Sequence, residues 1–172
     1  MALDKFIKKF INGDTSAFDD IYNLTQKSVY YVALSILRDK ALAEDVMQTT
    51  YMRMLKSIRS YTLGTNAYAW IYTIARNEAL NVKKARLREQ SVDEYENKTL
   101  FGMSEPDKYG ELIDLAKRLL ADDEFSILML VTACSYKRKE IGKMLGIPIS
   151  TVTWKYQNAL LKMRNTLEKE GY

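Results

Sequence analysis

The residues of this chain that are best suited to chemistry lie near its C-terminus, in the sequence KRKEIGKMLGIPISTVTWKYQNALLKMR at residues 137–164. Gly146 follows an apolar helical stripe, Pro148 prevents that helix from continuing, and Ser150 is a suitable N-cap for a second helix. This pattern is typical of a helix-turn-helix, whose second helix can enter the major groove of DNA, but it fits an ordinary helical hairpin equally well. The candidate DNA-contacting residues on the second helix are Ser150, Thr151, Thr153, Trp154, Lys155 and Asn158.

A second candidate for nucleic-acid contact is the predicted helix at residues 68–88, which combines aromatic, amide and basic side chains. Such a mixture suits the stacking of unpaired bases together with contact to phosphates. The alternative is that the aromatic residues are all in the core and the cations only favour the helix C-terminus. That alternative accounts well for Trp70 as a core residue, and it accounts less well for the number of basic residues at the end of the helix. The residues concerned are Tyr72, Arg76, Asn77, Lys83, Lys84 and Arg86.

The composition argues against an enzyme. Histidine is absent from the 172 residues, which removes the commonest general base and the commonest metal ligand. The sequence has neither a phosphate-binding glycine loop nor a cysteine cluster. We therefore predict no catalytic residue, no metal and no cofactor. Catalysis by carboxylates alone is the one enzymatic possibility that remains open. A single cysteine and the lack of a membrane-spanning or signal-peptide pattern predict a cytoplasmic protein without membrane insertion.

The elements that position these residues are all predicted to be helices. Only two prolines and seven glycines occur, and this scarcity favours long helices over a β-sandwich. Helical patterns cover residues 3–11, 15–37, 40–58 and 68–88 and return from residue 111, with a turn expected at residues 122–124. The net charge is +6 for residues 1–88, −5 for 89–111 and +3 for 112–172. We predict two helical domains, 1–88 and 111–172, joined by an acidic linker at 89–110.

The exposed side of the predicted third helix is a candidate protein-binding surface. It carries Asp45, Gln48, Thr49 and Arg53, and Met52 lies exposed among these polar groups. A methionine in that setting suggests contact with a partner. On this evidence alone an ordinary solvated helix face is the favoured reading.

Three stretches carry a family resemblance. The sequences AEDVMQ at residues 43–48 and AWIYTIARN at 69–77 resemble region 2 of the sigma-70 family, and residues 140–164 resemble region 4. Two domains with a short acidic linker are similar to the extracytoplasmic-function (ECF) group of bacterial sigma factors. The resemblance implies a region 2-like helical bundle and a region 4-like helix-turn-helix. It also implies a transcription initiation factor that binds core RNA polymerase and directs it to specific promoters.

The resemblance also implies roles for individual residues. Asp45 and Gln48, with Thr49, Met52 and Arg53, would face the clamp helices of the largest polymerase subunit. The loop at residues 61–67 and the start of the fourth helix would hold an extruded base of the minus-ten element, and the second helix of region 4 would read the minus-thirty-five element. The minus-ten candidates include Tyr61, Asn66, Tyr72, Arg76 and Asn77, with Lys83, Lys84 and Arg86 along the nearby DNA backbone.

The sequence departs from the family pattern at several of these positions. Thr49 replaces an acidic residue, Lys137 and Arg138 replace a hydroxyl–aromatic pair, and Thr153 and Asn158 stand where basic residues are common. We therefore expect a weaker minus-thirty-five contact or a different sequence preference. Either Asn158 or Gln157 could pair with an adenine edge through its amide, depending on the helix phase.

The resemblance and the residues leave two functions to be distinguished. A sigma factor of this type is expected to bind promoter DNA, to depend on polymerase for affinity and often to have an anti-sigma inhibitor that covers the same faces. The alternative is a stand-alone regulator that binds a palindromic site as a dimer, without polymerase.

Overall fold

The computed structural model of the chain describes residues 2–90 and 108–170, and within these ranges every regular element is helical. The N-terminal half contains α1 (Ala2–Ile11), α2 (Ala17–Leu37), α3 (Lys40–Ser57) and α4 (Ala67–Gln90), with a 3₁₀ turn at Ile58–Ser60. The C-terminal half contains α5 (Lys108–Leu119), α6 (Asp122–Thr132), α7 (Arg138–Leu145) and α8 (Ile149–Glu170). The all-α prediction is confirmed. In these two ranges no helix is both long and apolar enough to cross a membrane.

Two helix ends follow from residues that were identified in the sequence. Asp39 caps α3, because its carboxylate accepts a hydrogen bond from the backbone N–H of Leu42 at 3.1 Å. Gly146 ends α7 in the left-handed conformation, with φ of 68°, which a residue without Cβ adopts easily. The predicted end of the helix at Gly146 is confirmed.

Other element boundaries differ from the prediction. Residues 122–124 form the first turn of α6 rather than a turn between helices. Their negative charge is favourable at the positive end of the helix dipole, and Glu124 accepts a hydrogen bond from the backbone N–H of Ala121 at 3.1 Å. Ser150 lies inside α8, since the Val152 N–H already donates to the carbonyl of Pro148 at 3.1 Å. Of the predicted linker, residues 89–90 belong to α4 and 108–110 to α5, and 91–107 lie outside the described residues.

Helix α2 is the central element of the fold. It packs against α1, α3 and α4 of its own half and against α6 of the other half. Buried side chains of both halves, including Val32 of α2 and Phe125 of α6, therefore belong to one apolar cluster. Removing a side chain as large as Phe125 from water stabilises the fold by roughly 1.5–3 kcal/mol. The two halves are thus held in direct contact in this structure.

A second, smaller cluster forms the core of the helix-turn-helix. It contains Ile127 and Leu130 of α6, Ile141 and Met144 of α7, and Val152 of α8. Gly142 allows α7 to approach the turn closely, because a Cβ at that position would lie 2.9 Å from the backbone oxygen of Ile147. The partly buried rings of Tyr68 and Tyr72 on α4 also pack against this cluster.

Candidate polymerase and nucleic-acid interfaces

Four of the five candidate polymerase-binding residues on α3 are exposed, and three of these lie on its outer side without a partner in the N-terminal core. Asp45, Gln48 and Met52 recur at intervals of three or four residues and are all exposed, so they form one face. We call them the α3 face. Met52 is 60% exposed, which is unusual for an apolar side chain surrounded by polar groups. The prediction that Met52 is exposed is confirmed.

The other two candidates on α3 are more constrained. Thr49 is only partly exposed. The Arg53 guanidinium lies 2.8 Å from the carboxylate of Glu78 on α4, whose side chain is 8% exposed. A buried carboxylate needs such a partner, so Arg53 contributes to the packing of α3 against α4. The pair borders a groove of about 800 Å³ that also contains Asn77 and Asn81.

The loop between α3 and α4 is anchored to α1. The Tyr61 hydroxyl donates to the carboxylate of Asp4 at 2.8 Å, and the Tyr61 ring packs 4.9 Å from the ring of Trp70, centroid to centroid. Tyr61 is therefore buried, and burial raises the pKa of its hydroxyl. The exposed part of the loop is its tip, where Leu63 is 42% exposed next to Gly64 with φ of 87°.

One face of helix α4 is exposed to solvent and consists mainly of polar residues. Arg76 and Asn77 are exposed together with Lys84, and Thr73, Leu80 and Asn81 continue the same face. The other candidates on α4 have partners within the chain. Lys83 lies 3.1 Å from Asp122 of α6, and Arg86 lies 3.7 Å from Asp39. The remaining two face the C-terminal half: the side-chain nitrogen of Asn66 donates to the carbonyl of Lys143 at 3.2 Å, and burial raises the pKa of Tyr72.

The candidates on α8 divide between two faces. Ser150 and Trp154 point to solvent, with Trp154 61% exposed, and Thr151 and Thr153 are partly exposed beside them. Lys155 and Asn158 instead face the first turn of α6. The Lys155 ammonium pairs with Asp123, and the Asn158 side-chain nitrogen donates to Glu124 at 2.5 Å.

The phase of α8 therefore resolves the choice between the two amides. Gln157 is exposed on the same side as Trp154, whereas the Asn158 amide is engaged with Glu124. Gln157 is thus the one of the two amides that the helix phase turns outward. The buried residues Val152 and Ala159 on the opposite side carried the phase information that could have identified it. Leu160, next to the buried Ala159, is 42% exposed.

Glu124 is the most buried carboxylate of this region, with its side chain 6% exposed. Besides Asn158, the Lys162 ammonium donates to it at 2.7 Å. Burial alone would raise the pKa of Glu124, but the hydrogen bonds from Lys162, the Ala121 N–H and Asn158 outweigh burial and lower it. Glu124 therefore holds α8 against α6 in its charged form.

Comparisons with known proteins find similar sequences and similar folds. Residues 21–91 match the family model described as Sigma-70 region 2. The chain is 24% identical to the ECF RNA polymerase sigma factor SigW of Bacillus subtilis, over 97% of both chains. It is 27% identical to the RNA polymerase sigma factor CarQ of Myxococcus xanthus, over 94% of this chain and 95% of CarQ.

The chain is therefore similar to the sigma-70 family, through region 2 in its N-terminal half and through ECF relatives over nearly its whole length. The relatives are named as RNA polymerase sigma factors, and SigW and the SigK proteins of Mycobacterium are named as ECF sigma factors.

Two solved structures show the same fold as this chain. One is the sigma factor RpoE of Bartonella quintana in complex with the anti-sigma factor NepR, with a TM-score of 0.65, 21% identity, and coverage of 88% of this chain and 96% of RpoE. The other is CnrH in complex with the cytosolic domain of CnrY, with a TM-score of 0.70, 15% identity, and coverage of 99% and 100%. The arrangement of helices found here is therefore that of known sigma factors.

Proposed function

We propose that this chain is an ECF-type sigma factor, which directs RNA polymerase to specific promoters and binds the clamp helices of the largest polymerase subunit through the α3 face. The observation that carries the proposal is the exposure of Asp45, Gln48 and Met52 together on one side of α3. An apolar residue that is 60% exposed between an acid and an amide supplies both contact area and polar partners. Thr49 and Arg53 lie at the edge of this face. Arg53 acts there mainly by fixing α3 against α4 through Glu78.

The minus-ten contact is assigned to the outward face of α4 and the tip of the preceding loop. Arg76, Asn77 and Lys84 offer charge and amide groups to a single strand, and Leu63 is an exposed apolar side chain beside them. Extruding a base costs a few kcal/mol, which is large compared with what such an open surface provides by itself. Polymerase is therefore needed for melting. Buried Tyr61 acts as a support for the loop, in place of the base contact expected from the sequence.

The minus-thirty-five contact is assigned to the outer face of α8. Ser150, Trp154 and Gln157 are exposed there and would reach base edges from the N-terminal half of the helix, with Thr151 and Thr153 beside them. An exposed glutamine can pair with an adenine through two hydrogen bonds, and such a pair discriminates against other bases by roughly 1–3 kcal/mol. Lys155 and Asn158 hold the helix in place through Asp123 and Glu124.

An anti-sigma factor is proposed as a further partner, because a sigma factor of the same fold is bound by one in its solved structure. A groove of about 470 Å³ between α2, α3 and the end of α6 is a suitable contact point. Tyr30, Tyr31 and Met47 provide its apolar surface, and Gln48 of the α3 face borders it. A protein bound there would also obstruct polymerase.

The test is a binding assay between the chain and bacterial core polymerase. Asp45→Arg combined with Gln48→Ala is expected to weaken binding at least tenfold, because it reverses a charge and removes an amide at the centre of the α3 face. Asp19→Arg is the matched control, since Asp19 is exposed, lies on α2 and undergoes the same charge reversal. Equal binding by all three proteins would refute the proposed interface.

A further inference from the structure

The tip of the loop between α3 and α4 is exposed to solvent and yet has a defined shape. Thr62, Leu63, Gly64 and Thr65 are all exposed. The N–H of Thr65 donates to the Thr62 carbonyl at 3.3 Å, and the Thr65 hydroxyl donates to the same carbonyl at 2.7 Å. Gly64, with φ of 87°, occupies the third position of this turn, where a type II turn has a positive φ. Leu63, at the second position, is thus held at the tip.

One carboxylate of α1 connects this turn to the rest of the N-terminal half. The same oxygen atom of Asp4 accepts a hydrogen bond from the Gly64 N–H at 3.2 Å and another from the Tyr61 hydroxyl at 2.8 Å. The bond that closes a β-turn uses the N–H of its fourth residue, so Asp4 engages a donor that this bond does not use. The shape of the tip therefore depends on a residue that lies 57 to 60 positions earlier in the chain.

The other end of the loop is fixed by residues that are close together in sequence. The side-chain oxygen of Asn66 accepts a hydrogen bond from the Ala69 N–H at 3.2 Å and so caps the start of α4. The Asn66 carbonyl also accepts from the Trp70 N–H at 3.0 Å. The hold on Gly64 comes instead from α1. Removing the carboxylate of Asp4 should therefore loosen the tip of the loop while α4 keeps its cap.

We propose that Asp4 is a positioning residue for the minus-ten element, because it fixes the turn at residues 62–65 in the form that receives an extruded base. This inference rests on the minus-ten surface proposed above. A loop that is ordered before DNA binds loses less conformational entropy on binding than a loop that the DNA must order. A tip of fixed shape also discriminates better between bases, since flexible surfaces adapt to several partners. Asp4 thereby acts on base preference through the turn.

The charge of Asp4 provides a way to separate positioning from ordinary electrostatics. A carboxylate near DNA repels phosphates, so the loss of its charge by itself strengthens DNA binding. We predict the opposite for Asp4→Ala, which also removes the acceptor of both hydrogen bonds. Asp4→Asn removes the same charge and keeps an oxygen that accepts from Gly64 and Tyr61. The two variants therefore agree in charge and differ in the hydrogen bonds to the loop.

The first measurement is amide hydrogen exchange at Gly64 in the free chain, followed by NMR. In Asp4→Ala this N–H should exchange about 5- to 30-fold faster than in the native chain, the range for the loss of one or two hydrogen bonds. In Asp4→Asn it should exchange at close to the native rate. Asp20→Ala is the matched control, because Asp4 and Asp20 are both acidic residues in the first turn of their helices. Circular dichroism verifies that each variant is folded.

The second measurement is selection of promoter fragments from a random-sequence library by core polymerase reconstituted with each protein. The readout is the ratio between the most and the least preferred base at each position of the two elements. Gly64→Ala is added as an independent change, since its Cβ would meet nothing within 4 Å and only the positive φ is disfavoured.

Asp4→Ala and Gly64→Ala are expected to lower the base ratio in the minus-ten element by about 5-fold, as for the loss of one hydrogen bond, and to leave the minus-thirty-five ratio unchanged. A general loss of stability would instead lower both ratios. Asp4→Asn should restore most of the minus-ten ratio, and Asp20→Ala should match the native chain.

Unchanged exchange at Gly64 in Asp4→Ala would overturn the role given to Asp4. Faster exchange with a native minus-ten ratio would overturn it as well, and so would an equal loss of preference in Asp4→Asn or Asp20→Ala. A native chain that selects neither promoter element would refute the proposed function itself. That result differs from a failure of the Asp4 variants, which is measured against a native chain that does select.

Discussion

Replacing Glu124 with glutamine tests whether this carboxylate positions α8 against α6. In the native chain Glu124 accepts hydrogen bonds from Asn158 at 2.5 Å, from Lys162 at 2.7 Å and from the Ala121 N–H at 3.1 Å. Glutamine has nearly the same volume and keeps one acceptor oxygen. Its amide nitrogen, however, is a donor directed at groups that are themselves donors.

The expected loss of unfolding free energy is about 2–3 kcal/mol at pH 7. The contact with Asn158 is a hydrogen bond to a charged group, and such a bond contributes roughly 1.5–3 kcal/mol. The pair with Lys162 adds only about 0.5–1 kcal/mol, because the lysine side chain is 40% exposed and is screened by solvent. The cap on Ala121 is largely kept, since glutamine also serves at that position.

The assay is urea unfolding followed by circular dichroism, with Glu140→Gln as the matched control. Glu140 occupies the corresponding position in α7 and caps the Lys137 N–H at 2.8 Å, but it is exposed. Its replacement should cost less than about 0.5 kcal/mol. A Glu124→Gln protein as stable as the Glu140→Gln protein would refute the role given to Glu124.

The native chain and the Glu124→Gln protein should also differ in how their stability depends on pH. The pKa of Glu124 is lowered in the folded chain, since hydrogen bonds from Lys162, the Ala121 N–H and Asn158 outweigh the opposing effect of burial. Its stabilisation is therefore complete above the ordinary value of 4.5 and is lost as the pH falls through the lowered folded value. The stability difference between the native chain and Glu124→Gln should shrink in that acid range. A difference that stays constant down to pH 3 would contradict the assignment.

Three further predictions concern the C-terminal half. Gly142→Ala should lower stability by about 1–3 kcal/mol in thermal unfolding, because its Cβ would lie 2.9 Å from the Ile147 oxygen; an unchanged midpoint would contradict this. Burial raises the pKa of Cys134 to about 11 from 9.0. Its reaction with a thiol reagent at pH 8 should therefore be about 100-fold slower than that of an unperturbed thiol, and the rate should rise about tenfold per pH unit. Gln157→Ala should change the base preference of promoter selection with little loss of stability, whereas Asn158→Ala should lower stability; the opposite pattern in selection and melting experiments would reverse their roles.

The helices and several of their ends could be predicted because they depend on local chemistry. Asp39 and Gly146 act through their own side chain or its absence, so the sequence alone identifies them as cap residues. The exposure of Met52 follows from its position opposite the buried residues of α3. These features need no knowledge of the other half of the chain.

The features that could not be predicted depend on contacts between distant segments. The burial of Tyr61 requires Asp4 of α1, 57 residues away along the chain. Arg38 has a left-handed backbone conformation that no local pattern indicates at a residue other than glycine, and its guanidinium contacts the end of α5. Residues 122–124 are an exception, because a local signal was missed: acidic side chains suit the first turn of a helix, and Glu124 accepts from the Ala121 N–H.

The most direct test of the account is selection of genomic DNA fragments by core polymerase reconstituted with this chain. We predict that recovered fragments share two short elements at a fixed spacing near −10 and −35. We also predict that Asp45→Arg combined with Gln48→Ala abolishes the enrichment, while Asp19→Arg does not. Recovery of a palindromic site that the chain binds equally well as a dimer without polymerase would contradict the account.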